Sequence, residues 1–160
     1  MTAMNTEADR QRVIFVCTHN SARSQMAEGM LRAWGAERFE AFSAGTEATR
    51  VRPEAIAVMN EIGIDIRGHE SKTLEPFLGQ SFSWLITVCD QAKEACPTIP
   101  GVRQQAHWSI DDPSEVEGDE ATRLAAFREA RDRLRDRIHI FMLAAGREDL
   151  PNPEPTRIGT

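Results

Sequence analysis

A chain of 160 residues with 41% hydrophobic residues is long enough for one buried core and short for two ordinary domains. The net charge of -6 comes from interspersed acids and bases, a pattern that disfavours nucleic acid as a partner. The sequence has neither a secretion signal nor a membrane-spanning apolar run, and its three cysteines are an odd number for a disulfide framework. We expect a cytoplasmic monomer that does not act at a membrane.

Strands and helices alternate along the predicted chain, which is typical of an α/β protein with a parallel sheet. One domain is expected at residues 11–146, between a disordered N-terminus at 1–10 and a disordered Pro-rich tail at 147–160. In chain order the predicted elements are a strand at 13–16, a helix at 26–34, a strand at 39–43, a helix at 53–63, a short helical piece at 72–78, a buried strand at 83–88, a strand at 105–108 and a long amphipathic helix at 119–145.

The segment Cys17-Thr-His-Asn-Ser-Ala-Arg-Ser24 joins the first predicted strand to the first predicted helix. We refer to it as the oxyanion loop, because successive backbone N–H groups aimed at a helix N-terminus form a nest for a tetrahedral oxyanion. The planar guanidinium of Arg23 can grip two oxygens of such a ligand. The residues predicted to bind the substrate are Thr18, His19, Asn20, Ser21, Ala22, Arg23 and Ser24.

Cys17 begins this loop, where the positive environment favours the thiolate, the nucleophilic form of cysteine. Ser24 is placed to donate a hydrogen bond to that thiolate, and Asn20 has a side chain that tolerates a left-handed backbone. The alternative is a buried cysteine after a strand, which needs no chemistry. A cysteine and an Arg-Ser pair, spaced Cys-x5-Arg-Ser between a strand and a helix, favour the nucleophile.

Three further residues follow later strands. Cys89 comes after the strand at 83–88 and Cys96 seven residues beyond it. Taken alone, this pair is best explained as small apolar residues packing one face of a helix. Asp112 precedes a proline in what is also a common turn, and Asp111 is an alternative acid. Ligands of a parallel sheet bind beyond the carboxyl ends of its strands, so Cys89 and Asp112 are candidates for the same site as Cys17.

The oxyanion loop resembles that of low-molecular-weight protein tyrosine phosphatases and of the arsenate reductases that share their fold. This resemblance implies a three-layer α/β/α fold with a four-stranded parallel sheet. It extends through Gln-Met-Ala-Glu-Gly at 25–29, Phe-Ser-Ala-Gly at 42–45, Val-Cys at 88–89, Cys-Pro at 96–97, and the stretch from His-Trp to Asp-Pro at 107–113. His107 and Trp108 are most simply core or loop support.

The two later cysteines distinguish the reductases from the phosphatases. Their Cys-x6-Cys spacing resembles the redox pair of the thioredoxin-coupled arsenate reductase family, and reduction of arsenate requires a thiol pair to supply two electrons. Phosphatases of this fold typically carry tyrosines just after the Asp-Pro, whereas this chain has no tyrosine. The resemblance therefore favours an arsenate reductase over a phosphatase.

The resemblance and thiol chemistry together imply a relay. Cys17 attacks arsenic while Arg23 binds the oxyanion and Asp112 protonates the departing hydroxide. Cys89 then releases arsenite by forming a disulfide with Cys17, and Cys96 takes over that disulfide. The relay needs no metal or organic cofactor, and an external dithiol such as thioredoxin, or glutaredoxin, regenerates the thiols. Phosphate and sulfate are expected to compete with arsenate.

The spacing of the redox pair predicts movement. If residues 89–96 were helical, seven residues at about 1.5 Å each would separate the two cysteines by roughly 10 Å. A disulfide requires about 4.4 to 6.8 Å between Cα atoms. We therefore predict that the segment at 89–97 rearranges on oxidation, with hydrogen exchange that differs between the reduced and oxidised protein.

Two other functions remain open from the sequence. A phosphatase acting on phosphotyrosine or a small phosphoester would need Cys17, Arg23 and Asp112 alone. A non-catalytic oxyanion-binding or redox-sensing module would use the cysteines to report oxidation. The complete set of nucleophile, arginine and acid favours an enzyme over such a module.

One position departs from the family. Several reductases of this kind bind potassium through positions that match Asn20, Glu28 and Ser43, together with an acidic residue that corresponds here to Lys72. We expect the ammonium of Lys72 to occupy the cation's place and to pair with Glu28. The alternative is an ordinary solvated surface lysine.

Overall fold

The computed structural model describes residues 10–90 and 99–145. In chain order the elements are β1 (Gln11–Cys17), α1 (Arg23–Gly35), β2 (Phe39–Gly45), α2 (Pro53–Asn60), a 3-10 helix (Glu75–Phe77), β3 (Trp84–Thr87), β4 (Gln104–His107), a second 3-10 helix (Pro113–Glu115) and α3 (Glu120–Ala145).

The four strands form one parallel sheet in the order β2-β1-β3-β4. Cys17 is paired with Gly45 of β2, and Thr87 of β3 is paired with His107 of β4. Because all strands run in the same direction, these carboxyl ends lie along one edge of the sheet. The predicted α/β architecture with a four-stranded parallel sheet is confirmed.

The central strand β1 is buried on both faces. Val13, Phe15 and Cys17 face a large core formed with α1, α2 and α3, while Ile14 and Val16 face a second, smaller core. Such continuous burial explains why β1 has no alternation of polar and apolar residues. The second core is closed by the first 3-10 helix, and its aromatic rings make edge contacts, which join Phe42, Phe77 and Phe82.

The three α-helices lie where the sequence predicts them, although α1 begins earlier, at Arg23, and α2 ends earlier, at Asn60. Pro53 occupies the first turn of α2, where its missing N–H costs nothing, and Gly63 follows the helix with a φ of 80°. The carboxylate of Asp119 accepts a hydrogen bond from the backbone N–H of Thr122 at 2.9 Å and so caps α3. The buried side of this amphipathic helix consists of Phe127, Ala130, Arg131, Leu134, Ile138 and Phe141.

The helix predicted at residues 72–78 is wrong over most of its length. Only Glu75–Phe77 is helical, and it is a 3-10 turn. The N–H of Gly45 donates to Lys72 O and the N–H of Leu74 donates to Gly45 O, so this stretch runs beside the end of β2 instead. A proline at 76 also disfavours α-helical backbone in the residue before it.

Several predictions fall on residues outside the described ranges. They concern the N-terminus, the C-terminal tail, and the segment at 91–98 that contains Cys96. Within residues 10–90 and 99–145, none of the helices has the length and apolar character needed to cross a membrane.

Candidate active site

The oxyanion loop lies against the end of β2, where only a glycine fits. A Cβ added to Gly45 would stand 2.7 Å from Thr18 O and 2.8 Å from the backbone nitrogen of Asn20. The following residues strengthen this contact, because the N–H of Glu47 and the hydroxyl of Thr46 both donate to Thr18 O, at 3.0 and 3.1 Å. Close approach of the two backbones thus sets the position of the loop.

The loop turns five successive carbonyl groups away from its centre. Their partners lie outside the loop or in the first turn of α1. In a trans peptide the N–H points opposite to the carbonyl, so these contacts direct the intervening N–H groups toward the hollow of the loop. The contacts run from Thr18 O to Glu47, from His19 O to Ser71, from Asn20 O to Gln25, from Ser21 O to Arg52 and from Ala22 O to Met26.

Asn20 holds the centre of the loop. Its backbone has a φ of 50°, as its residue type predicts, and it is fully buried. Its amide oxygen accepts from the N–H of Lys72 at 2.7 Å, which identifies that atom as the oxygen, and also from Gln25 at 2.8 Å. Its amide nitrogen therefore donates to Ser24 Oγ at 2.8 Å and Ser43 Oγ at 2.9 Å.

This orientation of the Asn20 amide determines which hydrogen bonds the Ser24 hydroxyl can make. Ser24 Oγ already accepts a hydrogen bond from Asn20, and it lies 2.9 Å from Cys17 Sγ. The serine hydroxyl is thus free to donate to the sulfur, which stabilises a thiolate. Cys17 is 2% exposed, and neither Cys17 nor Cys89 is in a disulfide. The sequence predicted this contact, and the structure places the two side chains accordingly.

Arg23 of the loop lies beside Asp112, although the two residues are far apart in the sequence. Arg23 Nη1 donates to Ile110 O at 3.0 Å, and Nη2 lies 3.5 Å from Asp112 Oδ2. The other carboxylate oxygen, Asp112 Oδ1, accepts from the backbone N–H and the hydroxyl of Ser114, at 3.0 and 2.6 Å. Asp111, by contrast, is exposed. The geometry therefore favours Asp112 over Asp111, because Asp112 contacts Arg23.

Cys89 lies beside the nucleophile. The parallel pairing of β1 and β3 sets Thr87 opposite Val16, and the Val16 carbonyl accepts the N–H of Val88 at 2.9 Å. The same carbonyl is 3.6 Å from Cys89 Sγ. Val16 directly precedes Cys17, so the structure brings the second predicted thiol to the base of the oxyanion loop. Cys96 lies outside the described residues.

The remaining predicted loop residues differ in exposure. His19 is partly exposed, and its Nε2 lies 3.4 Å from Glu47 Oε2. Ser21 and Ala22 are buried, and Thr18, Ser21 and Ala22 each contribute a carbonyl to the contacts that hold the loop.

Behind the loop lies a buried carboxylate, Glu28, which is 4% exposed. Ser43 Oγ donates to one of its oxygens and Arg32 to the other. Lys72 Nζ lies 4.0 Å from Glu28 Oε1 and donates to Glu70 O at 2.9 Å. The predicted pairing of Lys72 with Glu28 is therefore present as a long contact.

Two supporting residues escaped the sequence analysis. The amide nitrogen of Gln25 donates to both the side-chain oxygen and the carbonyl of Asn20. The amide oxygen of Gln25 lies 2.9 Å from His69 Nδ1. An amide oxygen only accepts, so Nδ1 carries a proton, while Arg32 contacts Nε2 at 3.3 Å. Burial lowers the pKa of His69, against the influence of Glu28. Gln25 could have been found from the sequence as a polar residue in the first turn of a helix that is otherwise buried there.

Within the described part of the chain, no three side chains of His, Cys, Asp or Glu cluster as a metal site would require. Arg23 of the loop lies instead beside Asp112, and these two groups suit an oxyanion and a proton transfer.

Known proteins match this chain over most of its length. The arsenate reductase of Halalkalibacterium halodurans is 40% identical over 129 residues, which are 81% of this chain and 93% of the relative. That of Bacillus subtilis is 35% identical with the same coverage. A solved arsenate reductase in the phosphate binding state has a TM-score of 0.71 at 33% identity, covering 83% of this chain and 97% of its own.

A phosphatase shares the fold at lower identity. A tyrosine phosphatase from Erwinia amylovora has a TM-score of 0.67 at 20% identity, covering 84% of this chain and 93% of its own. The family model for low molecular weight phosphotyrosine protein phosphatases matches residues 12–151. The chain therefore belongs to the low molecular weight phosphotyrosine protein phosphatase family, within which it is similar to arsenate reductases.

Proposed function

We propose that this protein reduces arsenate to arsenite through Cys17, Cys89 and Cys96. One observation carries the proposal: Cys89 Sγ lies 3.6 Å from the carbonyl of the residue that precedes Cys17. A phosphatase needs one nucleophilic cysteine and water, whereas reduction needs a second thiol within reach of the first.

The first step joins Cys17 to arsenic. The inward N–H groups of the oxyanion loop and the guanidinium of Arg23 hold the tetrahedral anion. The Cys17 thiolate, stabilised by Ser24, attacks arsenic, and a hydroxide leaves as water after receiving a proton from Asp112. The distance of 3.5 Å between Asp112 Oδ2 and Arg23 Nη2 supports this role. Arsenic remains in its +5 state.

The second step transfers the electrons. The Cys89 thiolate attacks Cys17 Sγ, so a sulfur–sulfur bond forms and the sulfur–arsenic bond breaks. The electron pair of the broken bond stays on arsenic, which leaves as arsenite, and the two thiols together have lost two electrons. Cys96 then attacks Cys89, which moves the disulfide and frees Cys17. An external dithiol, thioredoxin or glutaredoxin, reduces the final disulfide.

The proposed relay uses no metal or organic cofactor, because thiols supply both electrons. Phosphate and sulfate have the same tetrahedral shape and are expected to compete with arsenate for the loop. A monomer acting in the cytoplasm, where thiols are kept reduced, agrees with this chemistry.

Hydrolysis of an aryl phosphate is the second candidate, because Cys17, Arg23 and Asp112 form a complete phosphatase set. The decisive experiment is a single turnover of arsenate by fully reduced protein without external reductant. About one arsenite per chain with a Cys89–Cys96 disulfide would support the relay. Brisk hydrolysis of p-nitrophenyl phosphate with no arsenite would favour the phosphatase.

A matched variant separates the two functions. Cys89→Ser is expected to abolish arsenite release and to keep any aryl phosphate hydrolysis, because only the relay uses that thiol. Equal arsenite release by the variant and the original protein would contradict the relay.

A further inference from the structure

Thr87 and His107 form a hydrogen-bonded pair at the carboxyl ends of β3 and β4. They are register partners in the sheet, and Thr87 Oγ1 lies 2.7 Å from His107 Nδ1. The same hydroxyl lies 3.5 Å from Ala106 O, so the short contact with the ring is its main side-chain hydrogen bond. Either partner of that bond can be the donor, depending on the tautomer of the ring.

The second nitrogen of this ring has an unusual environment. Nε2 is buried and makes no hydrogen bond within the described residues. Burial lowers the pKa of His107, Asp90 opposes this effect, and Arg137 adds to it. The lowered pKa favours the neutral ring at pH 7. A buried polar atom without a partner is uncommon in folded proteins and calls for a functional explanation.

Thr87 lies two residues before Cys89 in the sequence. Thr87 is the last residue of β3, and its carbonyl accepts the N–H of Trp108 at 2.8 Å. On the other side of the strand, the N–H of Val88 donates to Val16 O. Thr87 is thereby held to β4 through both backbone and side chain, and the chain leaves this fixed point to place Cys89 Sγ next to Val16.

We propose that His107 is a positioning residue for the second step of the relay, acting through its hydrogen bond to Thr87. This inference rests on the function proposed above. The neutral ring fixes the end of β3, and so fixes the direction from which Cys89 Sγ approaches Cys17 Sγ. In that step the sulfur–sulfur bond forms, the sulfur–arsenic pair goes to arsenic, and the proton of the Cys89 thiol goes to water.

The hydrogen bond has a measurable consequence for rate. A displaced nucleophile reacts more slowly even when its chemistry is intact, and a shift of about 1 Å costs roughly 100-fold. Losing the Thr87–His107 bond is therefore expected to slow formation of the Cys17–Cys89 disulfide by about 10-fold to 100-fold. Binding of phosphate to the oxyanion loop is expected to change by less than about 2-fold, since this hydrogen bond joins β3 to β4 and involves none of the loop residues Cys17 to Ser24.

Four variants isolate the hydrogen bond. Thr87→Val removes the hydroxyl at nearly constant shape, whereas Thr87→Ser keeps it. His107→Asn keeps an amide group near the position of Nδ1, where it can donate to or accept from Thr87, whereas His107→Gln moves the amide toward the position of Nε2. All are made in a Cys96→Ser background, so that oxidation stops at the Cys17–Cys89 disulfide. The rate is measured by acid quenching after arsenate is added to reduced protein, with phosphate binding by calorimetry as the control.

Slow disulfide formation in Thr87→Val and His107→Gln, with near-normal rates in Thr87→Ser and His107→Asn, would support the positioning role. Equal rates in all four variants would overturn it and leave the relay intact. A loss of phosphate binding that parallels the loss of rate would also overturn it, because the pair would then stabilise the fold in general. No Cys17–Cys89 disulfide in the background protein itself would overturn the relay and this inference together.

Discussion

The oxyanion loop and the end of β3 hold their cysteines in different ways. Around Cys17, five carbonyls and the side chains of Asn20 and Ser24 are tied by hydrogen bonds of 2.7 to 3.2 Å. Cys89 Sγ meets Val16 O at 3.6 Å, a long contact from a weak donor. The oxyanion loop benefits from preorganised donors for its anion, whereas the Cys89 thiol must leave its contact with Val16 O in order to react. Changes in the loop are therefore expected to affect binding and stability, and changes at Cys89 to affect turnover.

The largest expected effect comes from Cys89→Ala. Arsenite production under multiple turnover should fall on the order of 1000-fold or more, because the electron-transferring thiol is gone. The dissociation constant of phosphate should stay within about 2-fold, since the loop keeps its hydrogen bonds. Calorimetry and an arsenite assay measure the two quantities. Loss of phosphate binding in this variant would contradict the proposal that the loop governs binding and Cys89 governs turnover.

Asn20→Ala is expected to destabilise the protein by about 3 kcal/mol. The substitution leaves buried groups such as Ser24 Oγ and the N–H of Lys72 without their hydrogen-bond partner, and it forces an alanine into left-handed backbone. Asn20→Gly is the matched control, because it removes the same hydrogen bonds without the backbone strain and should be about 1 kcal/mol more stable than the alanine variant. Urea unfolding measures both. Identical stabilities would mean that the φ of 50° carries no cost.

Gly45→Ala tests the close approach of the loop to β2. The added methyl group would meet Thr18 O at 2.7 Å, so the loop must shift, at a cost of about 2 kcal/mol and about 10-fold in phosphate affinity. Gly68→Ala is the control, because open space surrounds that position and the change should stay within about 0.5 kcal/mol. Unchanged phosphate affinity in Gly45→Ala would show that the loop does not depend on this contact.

A smaller, pH-dependent effect is expected from His69. Burial holds its pKa below the ordinary value of 6.5, so the unfolded chain binds the proton more readily than the folded one. The free energy of unfolding should therefore fall as pH drops below about 6.5. In His69→Gln this part of the fall should vanish, which denaturant titrations from pH 7.5 to 5 would detect. Parallel curves for the two proteins would remove His69 from the support of the loop.

The smallest effect concerns Lys72. Its ammonium is 4.0 Å from Glu28 and partly exposed, so the pair contributes less than about 1 kcal/mol. We expect potassium and sodium to give the same melting temperature. Lys72→Asp should introduce a preference for potassium, with a rise of about 2 to 4 °C over sodium. A potassium-specific rise in the unaltered protein would contradict the replacement of the cation by lysine.

The sequence by itself determined the order of elements and the chemistry of the loop. Local signals sufficed for these, because a buried β-rich run, a Cys-x5-Arg-Ser spacing, Pro53 and Gly63 act through their immediate neighbours. The left-handed backbone at Asn20 and the contact of Ser24 with Cys17 were predicted for the same reason. The choice of Asp112 over Asp111 rested on resemblance until the fold brought Asp112 beside Arg23.

Only the tertiary structure decided the contacts between distant segments. The stretch at 72–74 looks helical alone, yet it pairs with the end of β2, because Gly45 offers a backbone donor and acceptor there. The roles of Gln25 and His69, 44 residues apart, and of Thr87 and His107, 20 residues apart, likewise depend on which surfaces the sheet brings together. Hydrogen bonds between residues so far apart produce no recognisable periodicity or motif spacing in the sequence, because their geometry exists only after the core has packed.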